Sequence, residues 1–429
     1  MTRKFWVLFG FVYILIFLGL VTFNSGLVAL ALPLLVYLGV GIYFAPGKIR
    51  FSLKRYLSCE TATRGGSVDI TLEITNQGNE IEQVLLEDTI PAKLQVINGE
   101  ISKPALLQPG GKVELKYTVN GERGLYKFEE VRASVSHIFG LYQTRVRLAE
   151  PAQLLILPES LKLRRVTIRP QQTRGFAGAI PSRMGGSGTD FWGVREYQVG
   201  DPLRKINWRA SARHTQELFT NEYEQERIAD VGLILDARQQ MNLVTPAGSL
   251  FEYSVLAVAS LAEAFIKDGN RVSLLTYGYG IDRVFPGYGK VQQERIFRAL
   301  ARARTGVHYA MESLNYLPTR LFSARSQIVM VSPLGQDDLP AYMRLRSQGY
   351  EILLVSPDPV DFEARAYGML ESTSFAVRLA RIERSLLLRK LKHLGVRTVD
   401  WKVDQPLDET LYTTLRRQPI RNRLQGIAV

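Results

Sequence analysis

Two apolar runs separated by three residues constrain this chain most, because they decide where its first fifty residues can lie. Phe5 to Phe23 and Leu27 to Phe44 carry no charge, only Pro33 interrupts the second, and Asn24-Ser25-Gly26 turns between them. The runs are 19 and 18 residues long, close to the roughly 20 that cross a bilayer core as helix. Arg3-Lys4 could open a cleaved signal peptide, but the apolar region is too long for one and a second run follows at once. Residues 1–49 therefore read as a transmembrane helical hairpin. Arg3 and Lys4 precede the first span, and Lys48, Arg50, Lys54 and Arg55 follow the second, so both ends face the cytoplasm by the positive-inside rule. The expected location is the inner (cytoplasmic) membrane, multi-pass, with the soluble domains in the cytoplasm.

The single cysteine, Cys59, suits a reducing compartment and excludes both an intrachain disulfide framework and a cysteine zinc site. It reads as an inert structural thiol rather than a nucleophile. His137, His214, His308 and His393 lie far apart and show no metal-ligand spacing. The formal charge of +13 is unevenly placed. Residues 161–214 hold eleven Lys/Arg against three Asp/Glu, and residues 378–429 hold twelve against five. Such patches suit nucleic acid or anionic lipid headgroups, or are simply a solvated surface beside a membrane.

Residues 50–157 change character. Val68 to Thr75 and Val113 to Val119 alternate apolar and polar with period two, and Gly- and Asn-rich turns such as Asn76-Gln77-Gly78-Asn79 and Asn120-Gly121 punctuate them. This spacing predicts an all-β sandwich-like domain with no catalytic feature. Residues 158–228 form a basic linker and a dense motif. The stretch from Pro158 to Gly188 lacks the Gly-x-x-x-x-Gly-Lys-Ser/Thr pattern of a phosphate loop, so it reads as a flexible connector.

In the motif, Asp201-Pro202 spells a helix start, with a capping carboxylate and a proline at the first helical position. On that helix Arg204 and Trp208 share a face, with Ser211 nearly on it. Glu196 and Asp201 are placed to pair with Arg204 or Arg213. The preferred picture is a buried ion-pair and tryptophan cluster; the competing one is an exposed surface for a protein partner.

Residues 229–429 alternate strand and helix. Val231 to Leu235 is a buried strand, Leu250 to Ile266 a helix, and Arg271–Tyr277, Gln327–Val331, Glu351–Val355 and Val396–Trp401 are further strands. This pattern gives an α/β doubly wound parallel sheet. The basic helix Val377–Leu394 carries Leu379, Ile382, Leu386 and Leu387 on one side. That stripe could lie on a membrane, but is expected to pack on the sheet. Asp236 ends the first strand, where open α/β sheets place their chemistry. Asp337-Asp338 is read as a capping pair.

Asp236-Ala237-Arg238-Gln239-Gln240 resembles the first metal-binding loop of von Willebrand factor A domains, Asp-x-Ser-x-Ser, with Arg238 and Gln240 in place of the serines. A guanidinium offers only donors and positive charge, which does not suit Mg²⁺. By the same resemblance Thr305, with Ala310-Met311 five residues on, is like the threonine loop. Ser332-Pro333 stands where Ser-Asp is common, and Pro333 supplies no carboxylate. The resemblance implies a degenerate site that binds no metal. Arg238, two residues from Asp236 on the same loop, is expected to bridge its carboxylate in the ion's place; the alternative is that Arg238 points to solvent and Asp236 caps a loop amide.

Gly186 to Phe191, Arg195-Glu196-Tyr197-Gln198-Val199-Gly200-Asp201, Arg204, Ile206, Trp208 and Ser211-Ala212-Arg213 resemble the signature of the bacterial family filed as domain of unknown function 58. In that family the signature leads into a von Willebrand A-like domain, often behind two membrane spans and a β domain. The resemblance implies an adaptor rather than an enzyme, with a MoxR-type AAA+ ATPase and other membrane proteins as partners.

The sequence has no nucleotide loop, metal cluster or nucleophile–base pair at a recognisable spacing. The expectation is a non-enzymatic, membrane-anchored scaffold without cofactor. Arg195, Glu196, Tyr197, Gly200, Asp201, Arg204, Trp208, Ser211 and Arg213 are its candidate partner-binding residues. A nucleic-acid or anionic-lipid binding protein and a metal-dependent A domain are the alternatives, and nucleic acid is the less expected ligand.

Overall fold

The computed structural model describes residues 2–43, 49–136, 141, 143–164, 166, 168, 180–213, 217–246, 248–308, 311–324, 326–368 and 375–417, with backbone alone for 180–190, 192, 223–227 and 417. Two compact units divide the chain, Met1–Leu157 and Pro158–Val429.

The first unit opens with α1 (Arg3–Val21) and α2 (Ser25–Tyr43), both long and apolar enough to cross a membrane. The turn comes slightly earlier than expected, at Thr22–Asn24, because the Asn24 side chain accepts the Gly26 amide and starts α2 at Ser25. Phe5, Val12 and Leu15 of α1 bury against Ala31 and Leu38 of α2. Trp6, Phe9, Tyr13, Phe17 and Leu32 face outward, so the helices are apolar all round, which suits lipid rather than water.

Nine strands follow: β1 (Phe51–Leu57), β2 (Thr61–Thr63), β3 (Val68–Asn76), β4 (Ile81–Asp88), β5 (Leu94–Gly99), β6 (Ser102–Leu107), β7 (Lys112–Gly121), β8 (Gly124–Ser136) and β9 (Gln143–Leu157). They form two sheets, β1-β3-β7-β5 and β2-β9-β8-β4-β6. The period-two pattern sends Val68, Ile70, Leu72 and Ile74 inward, where they share one core with Val84, Leu86, Phe128 and Leu154 of the other sheet.

Arg55, counted among the basic flanks of the membrane hairpin, is buried instead. Its Nη2 donates to Asp88 at 2.6 Å and its Nη1 to the Glu150 carbonyl at 2.8 Å. The Tyr117 hydroxyl donates to the other Asp88 oxygen. Burial raises the Asp88 pKa against the opposing pull of Tyr117 and Arg55. These contacts join β1 and β7 of one sheet to β4 and β9 of the other. Of the other cations counted after α2, Arg50 and Lys54 are exposed and Lys48 lies outside the described residues. At the β8–β9 turn, the Leu141 carbonyl accepts the Thr2 amide at 3.1 Å and its hydroxyl at 3.3 Å.

The second unit begins on its own core. Leu161 and Leu163 pack against it and Val166 and Ile168 are buried in it, so this part of the expected flexible connector is built into the fold. Residues 169–179 of the connector lie outside the described residues. From Ile180 the chain forms a long antiparallel ribbon, β10 (Ile180–Glu196) with β11 (Phe219–Arg227), interrupted by shifts of register. Between them lies α3 (Trp208–Ser211).

Next come β12 (Asp230–Asp236), the two-residue strands β13 (Val244–Thr245) and β14 (Gly248–Ser249), α4 (Leu250–Lys267), β15 (Arg271–Tyr277), β16 (Ile281–Gly287) and α5 (Gly289–Arg302). The remaining elements are β17 (Gln327–Val331), α6 (Leu339–Ser347), β18 (Glu351–Pro357), α7 (Pro359–Ala366), α8 (Phe375–His393), β19 (Arg397–Trp401) and α9 (Leu407–Arg417). The sheet order is β16-β15-β12-β17-β18-β19, with β16 antiparallel at the edge and every other pair parallel. Alternate residues of β12 serve opposite faces. Val231, Leu233 and Leu235 pack with Val258, Phe265 and Leu300, while Ile234 packs with Tyr342, Leu345 and Leu391. Helices therefore cover both sides of the sheet.

Helix α8 meets the sheet differently than its Leu379–Ile382–Leu386 pattern suggests. Leu388 and Leu391 are buried and Leu387 partly so, whereas Leu379, Ile382 and Leu386 face outward. Arg384 decides this orientation. Its side chain reaches the strand ends, and a residue two positions away on a helix points elsewhere.

Candidate functional site

The strand order reverses at β12, which has β15 on one side and β17 on the other. The crevice beyond the carboxyl ends of β12 and β17 is where such sheets bind ligands. Asp236 closes β12 and Ser332 follows β17 at this point, both buried. Arg238, two residues beyond Asp236, is 3% exposed. Its Nε donates to Asp236 Oδ1 at 2.9 Å and its Nη2 to Asp236 Oδ2 at 2.7 Å, the bridge expected from the loop spacing. The other edge of the guanidinium meets Asp338, Nη1 at 2.8 Å and Nη2 at 2.9 Å. Nη1 also reaches the Glu312 carbonyl at 3.1 Å, and Ser332 Oγ donates to Asp236 Oδ2 at 2.7 Å.

One side chain thus ties together three loops. Burial works against the charge on Arg238, but the hydrogen bonds and charges of Asp236 and Asp338 outweigh it and hold the group protonated above the ordinary arginine range. A buried ionic cluster persists only when its donors and acceptors are met, and here two carboxylates face one fork of five N–H groups. Close backbone packing supports the loop. A Cβ on Gly278 would lie 2.2 Å from the Ala237 carbonyl carbon.

A divalent ion does not fit this donor set. Both Asp236 oxygens are engaged, and an ion beside them would face the guanidinium's like charge. The Gln240 side chain bonds the Glu312 carbonyl at 2.9 Å, and Thr305 Oγ1 accepts from Asn242 Nδ2 at 3.3 Å. Pro333 offers only its carbonyl, which accepts Arg384 Nη1 at 2.9 Å. Ala310 lies outside the described residues. Among the described residues no three His, Cys, Asp or Glu side chains group as metal ligands.

The site holds two residues that the local pattern does not reveal. Asp338 is separated from its exposed neighbour Asp337 in role: it caps Gly335, accepting that amide at 2.8 Å, and it also receives Arg238. Arg384 of α8 donates to Asp400 at 2.6 Å and to Ser356 Oγ at 3.0 Å, and forms an ion pair with Asp358 at 3.3 Å. Burial raises the Asp358 pKa while Arg384 opposes the rise. Beside the arginine site lies a groove of about 880 Å³ walled by Met241, Leu243, Leu334, Val360, Tyr367 and Val377.

The signature segment folds otherwise than expected. Asp201 does not cap a helix, because its carboxylate is taken by Arg195 at 2.7 and 2.8 Å and by the Gln198 amide at 3.0 Å. Pro202 is extended, a single 3₁₀ turn covers Leu203–Lys205, and Arg204 and Trp208 do not share a continuous helix. The hydrogen bond from Arg195 and that from Gln198 lower the Asp201 pKa. Gly200 has φ 112°, a conformation open to glycine.

The cap of α3 is Asn207, which the motif did not single out. Its Oδ1 accepts the Ala210 amide and its Nδ2 reaches Asn221. Ser211 is buried, donating to the Asn207 carbonyl and accepting the Phe219 amide. The Tyr197 amide joins Leu218, and Glu196, Arg204 and Arg213 are exposed. Trp208 is 68% exposed, so the expected buried tryptophan cluster is absent, and Val199 and Leu203 face outward with it.

The fold and site define a protein with two membrane-length apolar helices, a β unit, and an α/β unit whose switch point is closed by a buried arginine. Residues 193–372 match the family model described as "Protein of unknown function DUF58". That region, 180 of the 429 residues, is similar to the DUF58 family. "Uncharacterized protein YeaD" of Bacillus subtilis (strain 168) is 25% identical over 266 residues, 60% of this chain and 63% of that protein. The match therefore spans under two thirds of that relative's length.

Among solved structures, the CARDB domain of the PF1109 protein from Pyrococcus furiosus is 11% identical with a TM-score of 0.18, covering 27% of this chain and 93% of that one. The FixG-related protein from Vibrio parahaemolyticus is 9% identical with a TM-score of 0.18, covering 25% and 95%. Likenesses this slight carry no argument about the chain.

Proposed function

We propose that this chain is a non-enzymatic adaptor anchored in the inner membrane, with its soluble units in the cytoplasm, and that it presents the DUF58 signature segment to a protein partner. The observation that carries this reading is the outward presentation of Val199, Leu203 and Trp208 on a segment held by the Arg195–Asp201 pair. Interfaces concentrate their energy in tryptophan, tyrosine and arginine anchors, and Trp208 is the residue of that kind here, with Val199 and Leu203 as apolar surface around it. The partner assigned is a MoxR-type AAA+ ATPase, which rests on the family resemblance. The strand order and the two-sided helix cover support a von Willebrand A-like reading of the second unit, and the shared core of two sheets supports a sandwich reading of the first. Arg238 closing the switch point favours binding over metal chemistry, against the metal-dependent alternative.

Affinity capture of the intact membrane protein, with and without ATP, tests the reading. An AAA+ ATPase should be recovered with the native chain and lost with Trp208→Ala. Recovery of nucleic acid alone, or equal recovery of the ATPase with both chains, would overturn it.

A further inference from the structure

We infer that α8 is a membrane-surface helix, its outward face lying on an anionic bilayer while its inward face holds the sheet. A helix that only covers a sheet is polar on its outer side. Here Phe375, Leu379, Ile382 and Leu386, at intervals of four, three and four residues, are all exposed, Phe375 by 78%. Leu388, Leu391 and Arg384 occupy the opposite side and attach the helix to the sheet. The helix therefore carries two apolar faces, of which the described residues cover one.

Charge identifies the occupant of the other. Arg378, Arg381, Arg389, Lys390 and Lys392 are exposed along the same helix, with Glu383 the one acidic residue in Phe375–His393. An apolar stripe flanked by cations is the arrangement that seats a helix at the headgroup level, with aromatic and leucine side chains inserted and cations on anionic lipid. An anionic bilayer engages the stripe and the charge together, and the reading of α1 and α2 as an anchor places the chain beside one. Binding through one such helix is weak and reversible, but α1 and α2 would hold the chain at the membrane and raise the effective concentration of the surface. The proposal rests on reading α1 and α2 as an anchor. It is independent of the adaptor reading, since the signature residues are not part of α8.

The test uses the full chain with Cys59→Ser, reconstituted in vesicles of phosphatidylcholine alone or with phosphatidylglycerol. An environment-sensitive fluorophore is placed at Ile382→Cys on α8, or at Val291→Cys on the exposed side of α5 as control. The label at 382 should shift to the blue and be quenched by spin-labelled lipid in the phosphatidylglycerol vesicles. The effect should weaken several-fold with Arg378→Glu and Arg389→Glu and at high salt, and the label at 291 should stay aqueous. A label at 382 that stays aqueous in both vesicles, with the chain resistant to alkaline extraction, would overturn the proposal. Extraction of the chain by alkali would instead overturn the anchor reading.

Discussion

The guanidinium of Arg238 contacts Asp338, a hundred residues further along the chain, through Nη1 at 2.8 Å and Nη2 at 2.9 Å. With its other edge on Asp236, it occupies the position of a cation between two carboxylates. Replacing it by methionine, similar in length but uncharged, leaves both carboxylates buried without a counter-charge. Arg238→Met should lower stability by about 3–5 kcal/mol, the usual loss on breaking a buried pair. Urea unfolding of the second unit's transition measures it. A loss within experimental error would show that the cluster is not held by its charge.

Gly278→Ala should injure the same site without touching a charge. The new methyl group meets the Ala237 backbone, which cannot rotate away as a side chain can. A cost of about 1–3 kcal/mol is expected from such overpacking, read by the same unfolding experiment. Unchanged stability would mean that the Ala237–Arg238 loop has more room than its geometry indicates.

Arg384→Ala should also cost about 3–5 kcal/mol near neutral pH, since it removes the cation facing the buried Asp358. The pH dependence has a definite sign. Burial raises the folded pKa of Asp358 above its ordinary 3.8, so its protonated form favours folding. That contribution is complete below the unfolded value and is lost as pH rises through the folded one. The deficit of Arg384→Ala relative to the native chain should therefore grow from acid to neutral pH. A deficit that is flat with pH would remove Asp358 from the account.

The Asp201 clasp behaves in the opposite sense. Arg195 and the Gln198 amide lower the Asp201 pKa below 3.8, so the clasp contributes above the unfolded value and is lost as pH falls through the lower folded value. Protection of the Gln198 amide from hydrogen exchange, relative to its intrinsic rate at each pH, should persist to pH values below the ordinary aspartate range and be lost in Asp201→Ala. Equal exchange in both chains would contradict the clasp.

Topology gives a further check. A reporter fused after Val429 should report the cytoplasm, because Arg3 and Lys4 precede the hairpin and Arg50 and Lys54 follow it. An external signal would mean that only one of the two helices spans.

Much of the architecture is legible in local pattern. The strands at Val231, Gln327 and Glu351 hold continuous apolar runs, as strands buried on both faces do, and the β unit shows in period-two alternation. The Asp236–Arg238 bridge is also local, two residues apart on one loop. Asp338 is not, because nothing in its own neighbourhood marks a partner a hundred residues away. The helix read at Asp201 failed for a physical reason: the carboxylate that would cap it binds Arg195 more favourably, and Asn207 caps a later turn. On α8 the apolar pattern offered two faces, and Arg384, whose partners are on three other elements, chose between them.

The central claim, that Arg238 does the electrostatic work of an ion, is tested most directly by thermal unfolding of the full chain with and without millimolar Mg²⁺ or Mn²⁺, in the native protein and in Asp236→Ala. The predicted result is a melting temperature of the second unit that neither ion raises in the native protein. Metal-dependent stabilisation of the native protein that disappears in Asp236→Ala would contradict it, because it would place a cation where the guanidinium is claimed to be.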